Sequence, residues 1–141
     1  MTADNVPAGR ELDVLVAEQV MGFVRVTDDT SDYNHVRHGN EVLLPPGATL
    51  HSLREWLPRK GQIPFGYFVT QRYSTDIAAA WRVVERLRDQ GYRFALKDQP
   101  GTGIRLASFF NENEYGAMCG DTTDATAICR TALAVHGVVL P

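Results

Sequence analysis

Two cysteines in 141 residues, Cys119 and Cys129, are too few for a disulfide-stapled secreted scaffold and do not form a Cys-x-x-Cys pair. Reduced thiols are expected, and with them a cytoplasmic setting. No apolar run approaches the ~20 residues that cross a bilayer. The opening residues Met1 to Pro7 contain no apolar stretch of signal-peptide type. Basic residues are in the minority, 14 Lys and Arg against 17 Asp and Glu, for a net charge of −3. That balance argues against a protein that coats nucleic acid. Neither a membrane nor nucleic acid in general is therefore an expected partner. Gly-x-Ser-x-Gly and a Lys-Ser/Thr phosphate loop are missing. No catalytic residue, metal or cofactor is assigned.

What the chain does have is enough apolar material for a core. A domain of this length buries about two thirds of its unfolded surface, and 44% apolar with 22% charged residues is ordinary globular composition. One domain over 1–141 is expected, with an irregular insertion at about 45–66.

Leu12, Val16 and Val20 recur every four residues, with Leu15 widening the stripe and Asp13 among the polar residues opposite. This predicts an amphipathic helix over 10–21, ended near Gly22. Short strands are expected at 23–26 and 41–44, the second stopped by Pro45-Pro46-Gly47. Residues 27–40 are polar and read as a loop, and 67–72 as a strand. Ile77, Ala80, Trp81, Val84 and Leu87 fall at helical spacing, so a helix over 77–88 is expected with Trp81 in the core. Ser74 or Thr75 would cap it, Asp76 would meet its dipole and Gly91 would close it. Residues 92–97 and 104–110 alternate at strand period around Pro100-Gly101-Thr102-Gly103, which predicts an antiparallel hairpin. A strand at 115–119 and a helix at 124–136, with Ile128, Ala132 and Val135 on one face, complete the pattern. The fold class is α+β, a mainly antiparallel sheet sandwiched between helices in α/β/α layers. Stripes around Leu15, Trp81 and Ile128 should dock on a common sheet.

Three stretches, Gly9 to Gly22, Tyr73 to Glu85 and Ala127 to Leu133, taken in that order resemble the phage ABA sandwich domain family. These are small phage and prophage proteins with a sheet between helical layers. Ala125 stands where such proteins usually show a proline, and the stretch 43–65 is long for the family. The resemblance implies a fold and a viral origin, and no mechanism.

Several constellations carry a functional reading. His35 and His38, with Asp28, Asp29 and Asp32 nearby, have the residue types of a divalent-metal site, though in a loop and without the helical glutamate of zinc enzymes. They motivate a metal-assisted hydrolase or nuclease as an alternative. Gly101-Thr102-Gly103 precedes a strand and is a turn, not a phosphate cradle. Ser52 beside His51 makes no recognisable nucleophile motif, Cys119 and Cys129 read as packing residues, and Glu112 with Glu114 as a solvated turn. Arg72, Tyr73, Ser74 and Thr75 enter a helix whose free amides suit an anion. Arg105, with Arg37 and Arg93, supplies further cations. Trp56, with Phe65, Tyr67 and Phe68, suits a ligand or partner surface. The leading expectation is a phage accessory protein that acts by binding, capturing a host protein or sequestering a nucleotide-type signal of anti-phage defence. A structural or assembly role as a homo-oligomer is the other alternative.

Overall fold

The computed structural model describes residues 8–28, 40–47, 71–112 and 115–137. The chain divides into two compact units, Met1–Met21 with Gln71–Pro141, and Gly22–Thr70.

In the smaller unit, β1 (Val24–Asp28) and β2 (Asn40–Leu44) form an antiparallel pair, Val24 opposite Leu44 and Asp28 opposite Asn40. Leu43 and Leu44 are buried, whereas Val24 is exposed. Gly47 follows the two prolines with a positive φ of 80°, a conformation glycine adopts without the Cβ clash other residues meet.

In the larger unit, α1 (Arg10–Gln19) buries Leu12, Val16 and Ala17 and packs on α3 (Asp124–Val135). Helix α2 (Ile77–Asp89) is capped by Asp76, whose carboxylate accepts from the Ala78 amide at 3.0 Å. The cap is thus Asp76 rather than Ser74 or Thr75: the carboxylate meets both the free amide and the dipole. The far end closes on Gly91 at φ 94°, with Tyr92 N donating to Leu87 O and Gly91 N to Arg88 O. This pair of bonds is the Schellman arrangement that needs a left-handed residue.

Strands β3 (Arg93–Gln99), β4 (Ile104–Phe110) and β5 (Tyr115–Asp121) make a meander in the order β3-β4-β5, antiparallel throughout. Arg93 faces Phe110 and Gln99 faces Ile104 across the predicted hairpin. The class is α+β, as expected, with the antiparallel pairing divided between two small sheets. Residues 71 and 72 lie outside any strand, and the rest of the strand expected at 67–72 falls outside the described residues.

Helix α3 is the centre of this unit. Ile128, Cys129, Ala132 and Leu133 are fully buried, and so are Ala127 and Thr131. Such all-round burial marks a helix with neighbours on several sides. The Thr131 hydroxyl lies 2.7 Å from Ala127 O and 3.0 Å from Ala107 O on β4, and accepts from the Cys119 amide on β5 at 3.2 Å. One hydroxyl thereby ties α3 to two strands. Helix α2 lies over β3, where Trp81 stands edge-on to Phe94 at a centroid separation of 5.5 Å, and Phe94 packs on Phe109 at 5.1 Å.

Trp81 is not a core residue. It is 40% exposed and Ile77 is 44% exposed. The buried stripe of α2 is Ala79, Ala80, Val83, Val84 and Leu87. Trp81 covers Phe94 on β3, whose far side has no strand partner among the described residues, so one side of the indole stays open. Leu15 is only half-buried, while Asp13 on the supposed polar side is buried.

Candidate functional site

The four residues expected at the start of α2 separate into two kinds. Tyr73 and Ser74 are buried, whereas Arg72 and Thr75 are exposed. Ser74 is held on every side. Its amide donates to Asp13 Oδ1 at 2.7 Å, its hydroxyl accepts from Gly9 N at 2.9 Å, and its carbonyl accepts from Thr126 Oγ1 at 2.9 Å. Through one residue the beginnings of α1, α2 and α3 are fastened together. Burial pushes the Tyr73 phenol above its ordinary value; Arg82 opposes this, while Cys129 and Asp13 add to it. Burial, reinforced by the Asp13 charge, likewise pushes the Cys129 thiol up. Buried neutral groups around one carboxylate make this a structural knot rather than a nucleophile poised for attack, since a reactive thiol needs its pKa lowered.

Arg105 sits on the helix-facing side of β4. Its guanidinium donates to Asp124 at 2.6 Å and also to Asp98. Hydrogen bonds to Asp124, and then to Asp98, hold it even more firmly protonated than usual. Beside it Arg130 pairs with Asp121 at 3.0 Å, and Asp121 accepts from the Thr122 amide at 2.7 Å. Asp124 also stands in the first turn of α3, where a carboxylate suits the dipole. The arginine is therefore balanced by two carboxylates. Arg93 is an exposed partner of Glu112 at 3.2 Å.

The structure thus brings Ser74 and Arg105 to the same end of α3, through Thr126 and Asp124, without converging their side chains on a common space. Trp56, Phe65, Tyr67 and Phe68 lie outside the described residues, as do Arg37, His35, His38, His51, Ser52 and Glu114. Among the described residues no group of three or more His, Cys, Asp or Glu is placed to hold a metal ion.

A surface that sequence reasoning passed over is the face of the β3-β4-β5 sheet away from the helices. Ala107 and Phe109 of β4 are buried toward the helices, so Ile104, Leu106, Ser108 and Phe110 point the other way. All four are half-exposed. On β5, Met118 lies opposite Ser108 and is 46% exposed. Gly120 lies opposite Leu106, and a Cβ there would come within 2.7 Å of Ile104 Cγ2. The two aliphatic side chains therefore fill the space over the glycine. On β3, Ala95 and Lys97 complete the face and are exposed. The sequence carries a signal for this. A strand with one solvated face alternates apolar with polar residues, yet β4 is apolar at both parities, with Ile104, Leu106 and Phe110 as well as Ala107 and Phe109.

The model of the phage ABA sandwich domain matches residues 14–133. No curated protein matches the chain. Among solved structures, the chain is similar to a phage protein from Bacillus cereus ATCC 14579, known from a 2.0 Å crystal structure. The two share 21% identity with a TM-score of 0.54, over 93% of this chain and 94% of that one. At that identity the likeness is one of fold.

Proposed function

Since the chain belongs to the phage ABA sandwich domain family, we propose that it serves as an accessory protein that binds a host protein through the open face of its three-stranded sheet. The observation that carries the reading is the apolar stripe of Ile104, Leu106, Phe110 and Met118, with Ala95 beside it, left half-exposed or exposed on the side away from the helices. Contiguous apolar surface of this kind marks interaction sites in soluble proteins, and methionine at its edge adapts to a partner's shape. Interference with a bacterial defence protein is the role such binding would serve in a phage.

The rival is sequestration of a nucleotide-type signal near Arg72 and Thr75, which are exposed side by side before α2. It is the weaker reading. The Asp76 carboxylate already takes the Ala78 amide at the start of α2, and Tyr73 and Ser74 are engaged in packing and internal hydrogen bonds.

The test is a photo-crosslinking residue placed at Met118 in protein produced in the bacterial host, with the same residue at Arg88 as control. The expected result is one host-protein adduct at position 118, abolished by Leu106→Asp and missing at position 88. Equal labelling at both positions would refute the reading. Calorimetric heat with a cyclic dinucleotide or ADP-ribose that disappears in Arg72→Ala would replace it with the rival.

A further inference from the structure

Strand β3 is an edge. Its seven residues pair with β4 on one side and with no strand on the other among the described residues. An open edge presents unpaired backbone amides and carbonyls, a template for another strand that proteins commonly blunt or cover. Above this edge stand Trp81, on Phe94, and Ile77 one helical turn away, both substantially exposed. Edge and strip together are an incomplete surface.

From these features we infer that two copies of the chain join by antiparallel pairing of β3 with β3 about a two-fold axis perpendicular to the sheet, with Leu96 at the axis. A two-fold of that orientation keeps the helices of both copies on one side, brings the two α2 helices together and covers Ile77 and Trp81. It allows only registers centred on a residue. Centring on Ala95 sets Arg93 against the partner's Lys97, and by symmetry does so twice. Centring on Lys97 sets that lysine against itself. Like charges directly opposed across a ladder are destabilising. Centring on Leu96 pairs all seven residues and opposes no like charges. Arg93 then meets Gln99, Phe94 meets Asp98, Ala95 meets Lys97, and Leu96 meets itself. Asp98 already lies against Arg105, and Arg93 against Glu112, so neither enters the seam as an uncompensated charge.

The inference goes beyond host-protein binding and does not depend on it, because it uses the strand's edge rather than the sheet's open face. Its consequence is a six-stranded sheet in which two open faces become one continuous surface.

The experiment uses Ala95, which is exposed and whose replacement leaves the core untouched. In the inferred register each copy's position 95 lies opposite the partner's Lys97. Sedimentation equilibrium of the full chain should show twice the chain mass at high concentration. Ala95→Lys should weaken the dimer about five-fold and Ala95→Glu should tighten it by about the same factor, from two symmetric cross-strand charge pairs. The double change Ala95→Lys with Lys97→Glu should bind about as tightly as Ala95→Glu, since it forms the same two attractive pairs with the charges exchanged. A wild-type chain that stays monomeric throughout overturns the inference. So does a dimer whose constant is the same in all three variants, for that dimer uses another surface. Either result leaves the crosslinking test at Met118 standing or falling separately.

Discussion

The Asp13 carboxylate joins parts of the chain 61 residues apart. Its Oδ1 accepts from the Ser74 amide at 2.7 Å in a buried setting, and Asp13 itself is almost fully buried. Asp13→Ala leaves a buried N–H without its acceptor. Orphaning a buried donor costs about 1–3 kcal/mol, toward the upper end when the lost partner is charged. A loss of about 2–3 kcal/mol in a domain of this size lowers Tm by roughly 6–12 °C. Asp13→Asn keeps an oxygen in place and gives up only the charge, so about half the loss is expected on the usual difference between charged and neutral hydrogen bonds. The Ser74 carbonyl is held from the other side by Thr126. Asp13→Ala and Thr126→Val therefore act on one peptide segment and should depart from additivity by at least about 0.5 kcal/mol. Urea unfolding of the two single variants and the double variant, followed by circular dichroism, measures all three quantities. An Asp13→Ala protein within ~0.5 kcal/mol of wild type, or an Asn variant as damaged as the Ala variant, would refute the assignment of this hydrogen bond as the fastening between α1 and α2.

Gly116 and Gly101 predict a contrast. A Cβ at Gly116 would lie 2.2 Å from the Phe109 carbonyl oxygen, which is backbone and cannot swing away, whereas nothing lies within 4 Å of one at Gly101. Gly116→Ala should cost about 1–3 kcal/mol or more by overpacking, and Gly101→Ala only the ~1–2 kcal/mol of a left-handed backbone at φ 77°. Equal thermal shifts would contradict this. Partial burial, followed by the Arg86 charge, holds His136 below its ordinary 6.5. The unfolded chain then binds the proton more readily, so this contribution is present above about pH 6.5 and is lost as the pH falls from there through the lower value of the folded state. Between pH 7.5 and 5.5 the urea midpoint of wild type should fall further than that of His136→Gln; parallel falls would remove the histidine from the explanation. Cys129 is buried and its thiol is pushed up, while Cys119 is half-buried. Under native conditions a thiol reagent should modify Cys119 much faster than Cys129. A Cys119→Ser protein that labels as quickly as wild type would overturn that order.

The helices over 10–19, 77–89 and 124–135 were legible because apolar spacing and caps are local properties. Leu12 and Val16, and Val83 with Val84 and Leu87, each recur within a turn of one another, and Gly91 at φ 94° stops the helix where the residue type says it should. The β3-β4 hairpin was legible for the same reason, as two alternating runs around a glycine turn. The candidate site was legible only in part. Arg72 to Thr75 have the residue types of an anion site, hydroxyls and a cation before the free amides of a helix. What engages Ser74 instead is Asp13 and Gly9, more than sixty residues earlier, and no local pattern encodes that distance.

Which residues form helix and which form strand followed from neighbours within about four positions along the chain, since backbone hydrogen bonding and side-chain periodicity act over that range. Which of those side chains meet water was decided in three dimensions. Trp81 has the spacing of a core residue and lies half in solvent because it covers β3, which has no further strand beside it among the described residues, and Asp13 has the chemistry of a surface residue and lies buried because Ser74 comes to meet it. Burial belongs to pairs of elements brought together from far apart in the chain, and the open face of the sheet exists only once the strands are laid side by side.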